Sequence, residues 1–370
     1  MERVKNALQV GGKEPSRSSG FRSMDGKYIY GIIRTNDDNG VLDISGLGRS
    51  NPVYLKGYKD LGCVLSEYSG IEFSSMPKEE ILRCLLTHQT VVEHVMKKHT
   101  VLPVKFGTIL AAADEVQQLL AQGHTQFVEA LAWFQDKMEL EVAATWDIKQ
   151  VLKEIGNIGE ISQLKKTIAS MPQQRTLEQR IRLGQMVKVS LDQRRDSYRE
   201  QMISFLKPMA VDAQSNTLIS DELVMNVAFL VEKASLEEFN SRLGELNDLF
   251  HNQINFRIIG PLPPYSFATV EVIRLNQLKI EEARQLLLLD KAFSEPDVRK
   301  AYRRLAAEAH TDCNVGDTLA KTKFIKLHQA SELLTSYCRG QAESGNNLLI
   351  NIKCPKVEEV QHLHFAEIEG

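Results

Sequence analysis

No run of apolar residues in this 370-residue sequence approaches the roughly 20 that a membrane-spanning helix needs. Runs such as Leu286 to Leu289 are a fraction of that length. The opening stretch MERVKNALQVGGKEPSRSSG has no apolar core of secretory length and is not read as a signal peptide. Charge of one sign is not in excess. Against 45 basic side chains stand 48 acidic ones, a net charge of −3, which argues against a whole-molecule nucleic-acid binder and leaves room for a local basic stripe. The 5 cysteines, Cys63, Cys84, Cys313, Cys338 and Cys354, are scattered and form no CxxC pair or Cys/His cluster of zinc-finger spacing. That is the usage of reduced thiols in a cytosolic protein. Also missing are a GxxxxGK(S/T) phosphate loop, a GxGxxG after a strand and a GxSxG elbow. What is present, 43% hydrophobic and 25% charged residues, is ordinary for soluble globular protein, and the length suggests two or three domains.

Residues 1–26 are rich in Gly, Ser, Lys and Arg without periodicity and read as a flexible tail. Residues 27–147 read as an α+β domain. KYIYGIIRT, VLDISGL and GCVLSEYS are strand-like, and Pro77 opens a helix whose Ile81, Leu85, Val92, Val95 and Met96 share one face. A second helix runs from about Asp114 through ALAWFQ. KMELEVAATW then alternates, with Met138, Leu140, Val142, Ala144 and Trp146 on a core face and Glu139, Glu141 and Thr145 on a solvated one. Residues 148–212 are highly charged and helical, an arm with a long stretch from Thr176 to Leu206. Residues 213–278 read as a second α+β domain: Leu223, Met225, Val227, Phe229 and Val231 alternate inward, and Ser235 with Glu238 forms a capping box for the next helix. Residues 279–340 are helical, and 346–370 hold two short strands, LLINIKCP and VQHLHFAEI.

The chemical candidates are few. His88, Glu93 and His94 lie on one helix, but His88 and His94 sit about 120° apart around the axis, and helical metal pairs use spacings of three or four. His88 falls on the apolar stripe and reads as a packed, hydrogen-bonded histidine. A metal-dependent enzyme using these three residues is the least favoured reading. His362 and His364 share a strand face without a third ligand. Glu139 and Glu141 read as solvated. No catalytic residue, metal site or cofactor follows from these patterns.

The helical segment is more specific. In PDVRKAYRRLAAEAH, Val298, Ala301, Tyr302, Leu305 and Ala309 form an apolar stripe, and Arg299, Lys300, Arg303 and Arg304 form like-charge i,i+4 pairs on the opposite face. Such pairs repel by a few tenths of a kcal/mol each, so a concentrated basic face needs a reason. The stretch ARQLLLLDKAFSEPDVRKAYRRLAAEAHTDCNVGDTLAKTKFIKLHQASELL resembles a J domain, the co-chaperone module that engages DnaK-type chaperones. The first helix would hold Leu286 to Leu289, and the third would present Phe324, Leu327, Ser331, Leu334 and Cys338. The resemblance implies docking through Arg299, Lys300, Arg303 and Arg304, with His310 and Asp312 in the trigger loop. Thr311 stands where that family has proline, which removes a residue that stiffens the loop.

Three further stretches, in order and with matching spacing over about residues 27–273, resemble the gas vesicle protein L/F family. These are KYIYGII, then HTVLPVKFGTIL, then GPLPPYSFATVEV. The second carries Val101, Leu102, Pro103, Val104, Lys105, Phe106, Gly107 and Thr108, with lysine where arginine is frequent. The third carries Gly260, Pro261, Pro263, Pro264, Tyr265, Ser266 and Phe267, with Leu262 where an aromatic is common. The prolines suggest an extended edge or crossover, with Tyr265 and Phe267 on one face. The resemblance implies an α+β fold with a modified ferredoxin-like N-terminal domain, a helical arm and a second α+β domain, to which the J-domain resemblance adds the small three-helix J-like module. It also implies a non-catalytic cytoplasmic accessory or minor structural protein of the gas vesicle. Its partners would be the hydrophobic shell protein, other vesicle accessory proteins and a DnaK-type chaperone, with no nucleic acid, membrane or cofactor. The alternative is a J-domain co-chaperone whose α+β domains bind diverse clients.

Overall fold

The computed structural model describes residues 23–47, 51–171, 176–250, 253–274, 277–308, 318–341 and 348–352. Strand β1 (Ser23–Arg34) already includes Ser23 to Gly26, the end of the stretch read as tail. It is followed by β2 (Val41–Ser45), β3 (Pro52–Tyr58), β4 (Leu61–Ile71), helix α1 (Lys78–Met96), β5 (Val101–Pro103) and β6 (Ile109–Leu110). The first sheet runs β2-β3-β4-β1-β5, and β6 pairs with β1. A register shift in β1 between Ile29 and Gly31 reverses the parity of the strand. Tyr28 and Tyr30 therefore face the core under α1, yet Ile32 joins Ile29 in the core on the opposite side.

That opposite core is roofed by α2 (Ala113–Gln122) and α3 (His124–Phe134), one helix in the sequence reading, divided at Gly123. A Cβ at Gly123 would meet the Phe127 ring at 2.3 Å. Val116, Leu119, Leu120, Phe127, Leu131 and Phe134 pack from these helices against Ile29, Ile32, Cys63 and Leu65.

Strand β7 (Lys137–Trp146) begins the second sheet. The arm follows as α4 (Ile148–Ile155), α5 (Gly159–Ala169) and α6 (Leu177–Leu206), then β8 (Asp212–Ser215), β9 (Leu223–Glu232), α7 (Leu236–Leu249) and β10 (Ile254–Leu262). Asp147 caps α4 through Lys149 N and Gln150 N. Ser235 occupies the N-cap position of α7, but its hydroxyl makes no capping bond, because the chain enters through a tight turn over Lys233–Ser235.

The sheet order is β10-β7-β9-β8, all antiparallel. Strand, helices, strand, strand, helix, strand with spatial order 4-1-3-2 is the ferredoxin-like connectivity. The α+β class and the helical arm stand, and the ferredoxin-like order lies in this second sheet, not in the N-terminal part. Alternation in β7 shows which residues point to a core; it cannot show which sheet the strand joins. One face of the sheet is covered by Leu191, Met202 and Leu206 of α6 and by Phe239, Leu243 and Leu246 of α7. The other face is covered too, since Ala228 and Leu230 of β9 belong to the core of the first sheet.

After β11 (Val270–Arg274) come α8 (Gln277–Leu286), α9 (Glu295–Glu308) and α10 (Thr318–Gln341), and the chain returns as β12 (Leu348–Ile352), antiparallel to β11. The three helices share a core of Ile280, Leu287, Val298, Leu305, Leu327 and Leu334. Helix α8 stops at Leu286, so Leu287 to Leu289 lie beyond it. Leu288 has φ 55°, with Leu289 N bonded to Arg284 O and Leu288 N to Gln285 O. This is a Schellman C-cap with leucine in glycine's place. Asp297 closes the start of α9, its Oδ2 accepting from Ser294 N and Ser294 Oγ while Asp297 N donates to the Ser294 carbonyl. The segment VQHLHFAEI, with His362 and His364, lies outside the described residues, as do Cys313 and Cys354. Among the described residues no helix is long and apolar enough to cross a membrane.

Candidate functional site: the convergence of three motif segments

The three motif segments are distant in sequence and adjacent in space. Tyr28 of the first is fully buried. Its hydroxyl accepts from Gly107 N at 3.1 Å and lies 2.9 Å from His88 Nδ1. The assigned arrangement has Tyr28 donating to Nδ1, while the other ring nitrogen donates to the Val104 carbonyl. Burial pushes the His88 pKa down to about 3, only partly offset by the bond to Val104, so the ring is neutral. Burial also raises the Tyr28 phenol well above its usual range. Around them, Tyr28, Phe73, His88 and Phe106 form an aromatic box, with Phe73 and Phe106 centroids 5.0 Å apart and His88 edge-on to Phe106 at 5.8 Å.

The second segment lies along the first. Val104 N donates to Tyr30 O at 3.0 Å and Ile29 N to Thr108 O at 3.0 Å. Between them Lys105 to Thr108 make a turn closed by Thr108 N to Lys105 O, with Gly107 at φ 87° in the position that requires glycine. Val101, Leu102 and Pro103 are buried, Phe106, Gly107 and Thr108 half-buried, and Lys105 exposed.

The third segment departs from the sequence reading. It is extended only through Leu262. Pro264 then opens a turn in which its carbonyl accepts from Phe267 N and Ala268 N. Tyr265 and Phe267 consequently point into different cores, Tyr265 beside the aromatic box and Phe267 under α2 and α3. Gly260 and Pro261 are exposed, whereas Pro263 and Pro264 are buried. Gly260 has φ 150°, and a Cβ there would meet Glu139 O at 2.9 Å and Leu140 Cδ2 at 2.8 Å.

Glu139 is the residue the sequence hides. It reads as solvated and is fully buried. Its Oε2 accepts from Ser266 N at 2.7 Å and its Oε1 from Ser266 Oγ at 2.9 Å. Its register partners are Leu230 and Leu262. The alternation of β7 holds, but the face that it turns away from the Met138–Trp146 side is the one the third segment covers. Glu141 is half-buried. The link continues where Val104 bridges Val270, Lys105 N donates to Val270 O at 2.9 Å, and Lys105 Nζ pairs with Glu271 Oε1 at 2.9 Å.

The two hydroxyl–base contacts of the cluster, Tyr28 with His88 and Ser266 with Glu139, are each also tied to a backbone N–H, of Gly107 and of Ser266 itself. The cluster's polar groups are neutral or locked by backbone donors, a design for holding segments together. Among the described residues no three His, Cys, Asp or Glu side chains converge as a metal site. Glu93 is bonded to Gln89, and His88 is occupied by Tyr28 and Val104.

Comparison with known proteins bears on both parts of the chain. The family profile described as gas vesicle synthesis protein GvpL/GvpF matches residues 26–269. The chain belongs to that family. Gas vesicle protein F of a Streptomyces species is 27% identical over 245 residues, covering 65% of this chain and 98% of the relative. Gas vesicle protein L1 of Halobacterium salinarum is 23% identical over 258 residues, covering 66% and 90%. The GvpF crystal structure from Anabaena superposes with a TM-score of 0.56 at 23% identity, covering 66% of this chain and 98% of that one. The GvpF crystal structure from Microcystis aeruginosa gives 0.53 at 22%, covering 65% and 98%. The DnaJ domain profile matches residues 285–339. This GvpL/GvpF-family chain thus carries a J-like helical module beyond the family region. In that module Arg299, Lys300, Arg303 and Arg304 are all exposed, with Arg299 ion-paired to Glu295 one turn earlier. His310, Thr311 and Asp312 lie outside the described residues.

Proposed function

We propose that this chain is a non-catalytic gas vesicle accessory or minor structural protein, acting in the cytoplasm and at the vesicle through protein–protein contacts. The observation that carries this reading is the convergence of the three family segments on one aromatic and carboxylate-locked cluster. Its rim exposes Lys105, Gly260 and Pro261. A cluster whose hydroxyls, imidazole and carboxylate are bonded to one another and to the backbone holds a surface in shape, and a surface held in shape serves recognition. Its partners would be the vesicle shell protein and other vesicle accessory proteins. An apolar shell subunit awaiting polymerisation is prone to aggregate, and a soluble helper with a chaperone contact counters that. The test is co-purification of the shell protein with the full chain and with a chain lacking residues 279–340, alongside vesicle yield. Selective capture by the full chain is expected. Equal capture and equal yield would remove the need for the module.

The exposed basic face of α9 favours a second reading, a J-domain co-chaperone stimulating a DnaK-type ATPase, with Arg299, Lys300, Arg303 and Arg304 docking and His310 and Asp312 triggering. It predicts ATPase stimulation lost on His310→Gln and capture of diverse clients instead of vesicle proteins alone.

A further inference from the structure

The helical module is not strung on the end of the family core. The chain leaves the core through β11 and returns to it through β12, and the two strands pair along their whole length, from Val270 opposite Ile352 to Arg274 opposite Leu348. The exit and the re-entry are therefore cross-strand neighbours, their Cα atoms roughly 5 Å apart. Three Cα steps separate Arg274 from Gln277, the first residue of α8, a reach of at most about 11 Å.

Strand β12 is bound on several sides. Leu348 and Ile352 are buried in the first-sheet core with Leu102, Val104, Leu110 and Leu119. Helix α10 packs on the same strand from the module side, and α2 packs on it from the core side. The partner strand β11 rests on the second motif through the Val104–Val270 bridge and the Lys105–Glu271 ion pair. A groove of about 270 Å³ is lined by residues 105–110 of that motif together with Val272 and Leu348, so the motif and the returning strand build it jointly.

We infer that β12 makes the helical module a doubly anchored lobe seated on the VKFGT segment, coupling the folding of the module to the order of that segment. A module on a single flexible linker would open and close without the core sensing it. Here, opening the module loosens α10 from β12, and loosening β12 exposes Val104 and Leu110 beneath it. The coupling is reciprocal, as any linkage between two equilibria must be. It holds for whatever macromolecule engages the module.

Hydrogen exchange on the full-length chain tests this, with peptides resolved for residues 101–110, 270–274, 277–341 and 348–352. Leu348→Asp is expected to speed exchange at least about tenfold in both 270–274 and 101–110. Leu334→Asp, which opens the module from its own core, is expected to speed exchange in 348–352 by a similar factor. Asn351→Pro, at an exposed position, breaks the strand without burying a charge and serves if Leu348→Asp fails to fold. Unchanged exchange at 101–110 when β12 is broken would overturn the coupling. So would unchanged exchange at 348–352 when the module is opened.

Discussion

The motif cluster and the basic helix of the J-like module treat polar groups in opposite ways. In the cluster, Glu139, Tyr28 and His88 are buried, and their polar atoms meet partners fixed by backbone geometry. On α9, Arg299, Lys300, Arg303 and Arg304 are exposed, and one i,i+4 ion pair is the chief local compensation. A buried polar group is worth much to stability because leaving it unpaired is expensive. An exposed charge is worth little to stability and much to an incoming partner. Substitutions should therefore separate the two regions: in the cluster they disturb folding first, and on α9 they disturb binding alone.

The widest separation is expected from Glu139→Leu. It strips the acceptor from Ser266 N and Oγ and should destabilise the chain by about 3 kcal/mol in urea melts. Ser266→Ala should lose less, about 1 kcal/mol, and the double mutant should show strong coupling. Independent, additive losses would break the view of Glu139 and Ser266 as one latch.

Acid provides the next comparison. The folded-state pKa of His88, about 3, lies below its ordinary 6.5. Above pH 6.5 both states are neutral and the stability is complete. As pH falls toward 3, the unfolded chain takes up a proton that the folded chain refuses, and stability declines by about 1.4 kcal/mol per pH unit. Urea midpoints between pH 7 and 4 measure this slope. His88→Leu should flatten it while lowering the pH 7 value, since Tyr28 loses an acceptor.

A smaller and opposite effect belongs to the module. Leu288→Gly removes a left-handed strain and should stabilise the three helices by about 1 kcal/mol. A lowered melting temperature would show that the exposed leucine makes a compensating contact. The smallest stability change is expected from Arg303→Glu with Arg304→Glu, within about 0.5 kcal/mol. Binding of an acidic chaperone surface, read by titration calorimetry, should nonetheless be lost. Retained binding would detach the basic face from the partner reading.

Much of this molecule is legible before folding is considered. The α1 stripe, the β7 alternation and the α9 stripe follow from local periodicity, which needs nothing but the chain's own geometry. Strand β3 escaped because PVYLKGY carries Pro, Lys and Gly through a short run, and its strand character comes from pairing with β2 and β4. The turn at Pro264 escaped for a related reason. A Pro-Pro pair restricts two φ angles without fixing where the chain goes next.

Glu139 and Leu348 show where local reading ends. Glu139 sits where alternation sends a residue away from one core, and nothing local records that another segment, more than a hundred residues on, covers that side. Leu348 lies in a short apolar strand whose partner, β11, is separated from it by the entire module. The sequence by itself determined the family, the α+β class, the helical arm and the basic stripe, because motif identity and periodicity are written along the chain. Only the tertiary structure decided which sheet holds the ferredoxin-like order, which carboxylate is buried, and that the module is anchored at both ends. Each of those depends on long-range pairing and on which face a distant segment happens to cover.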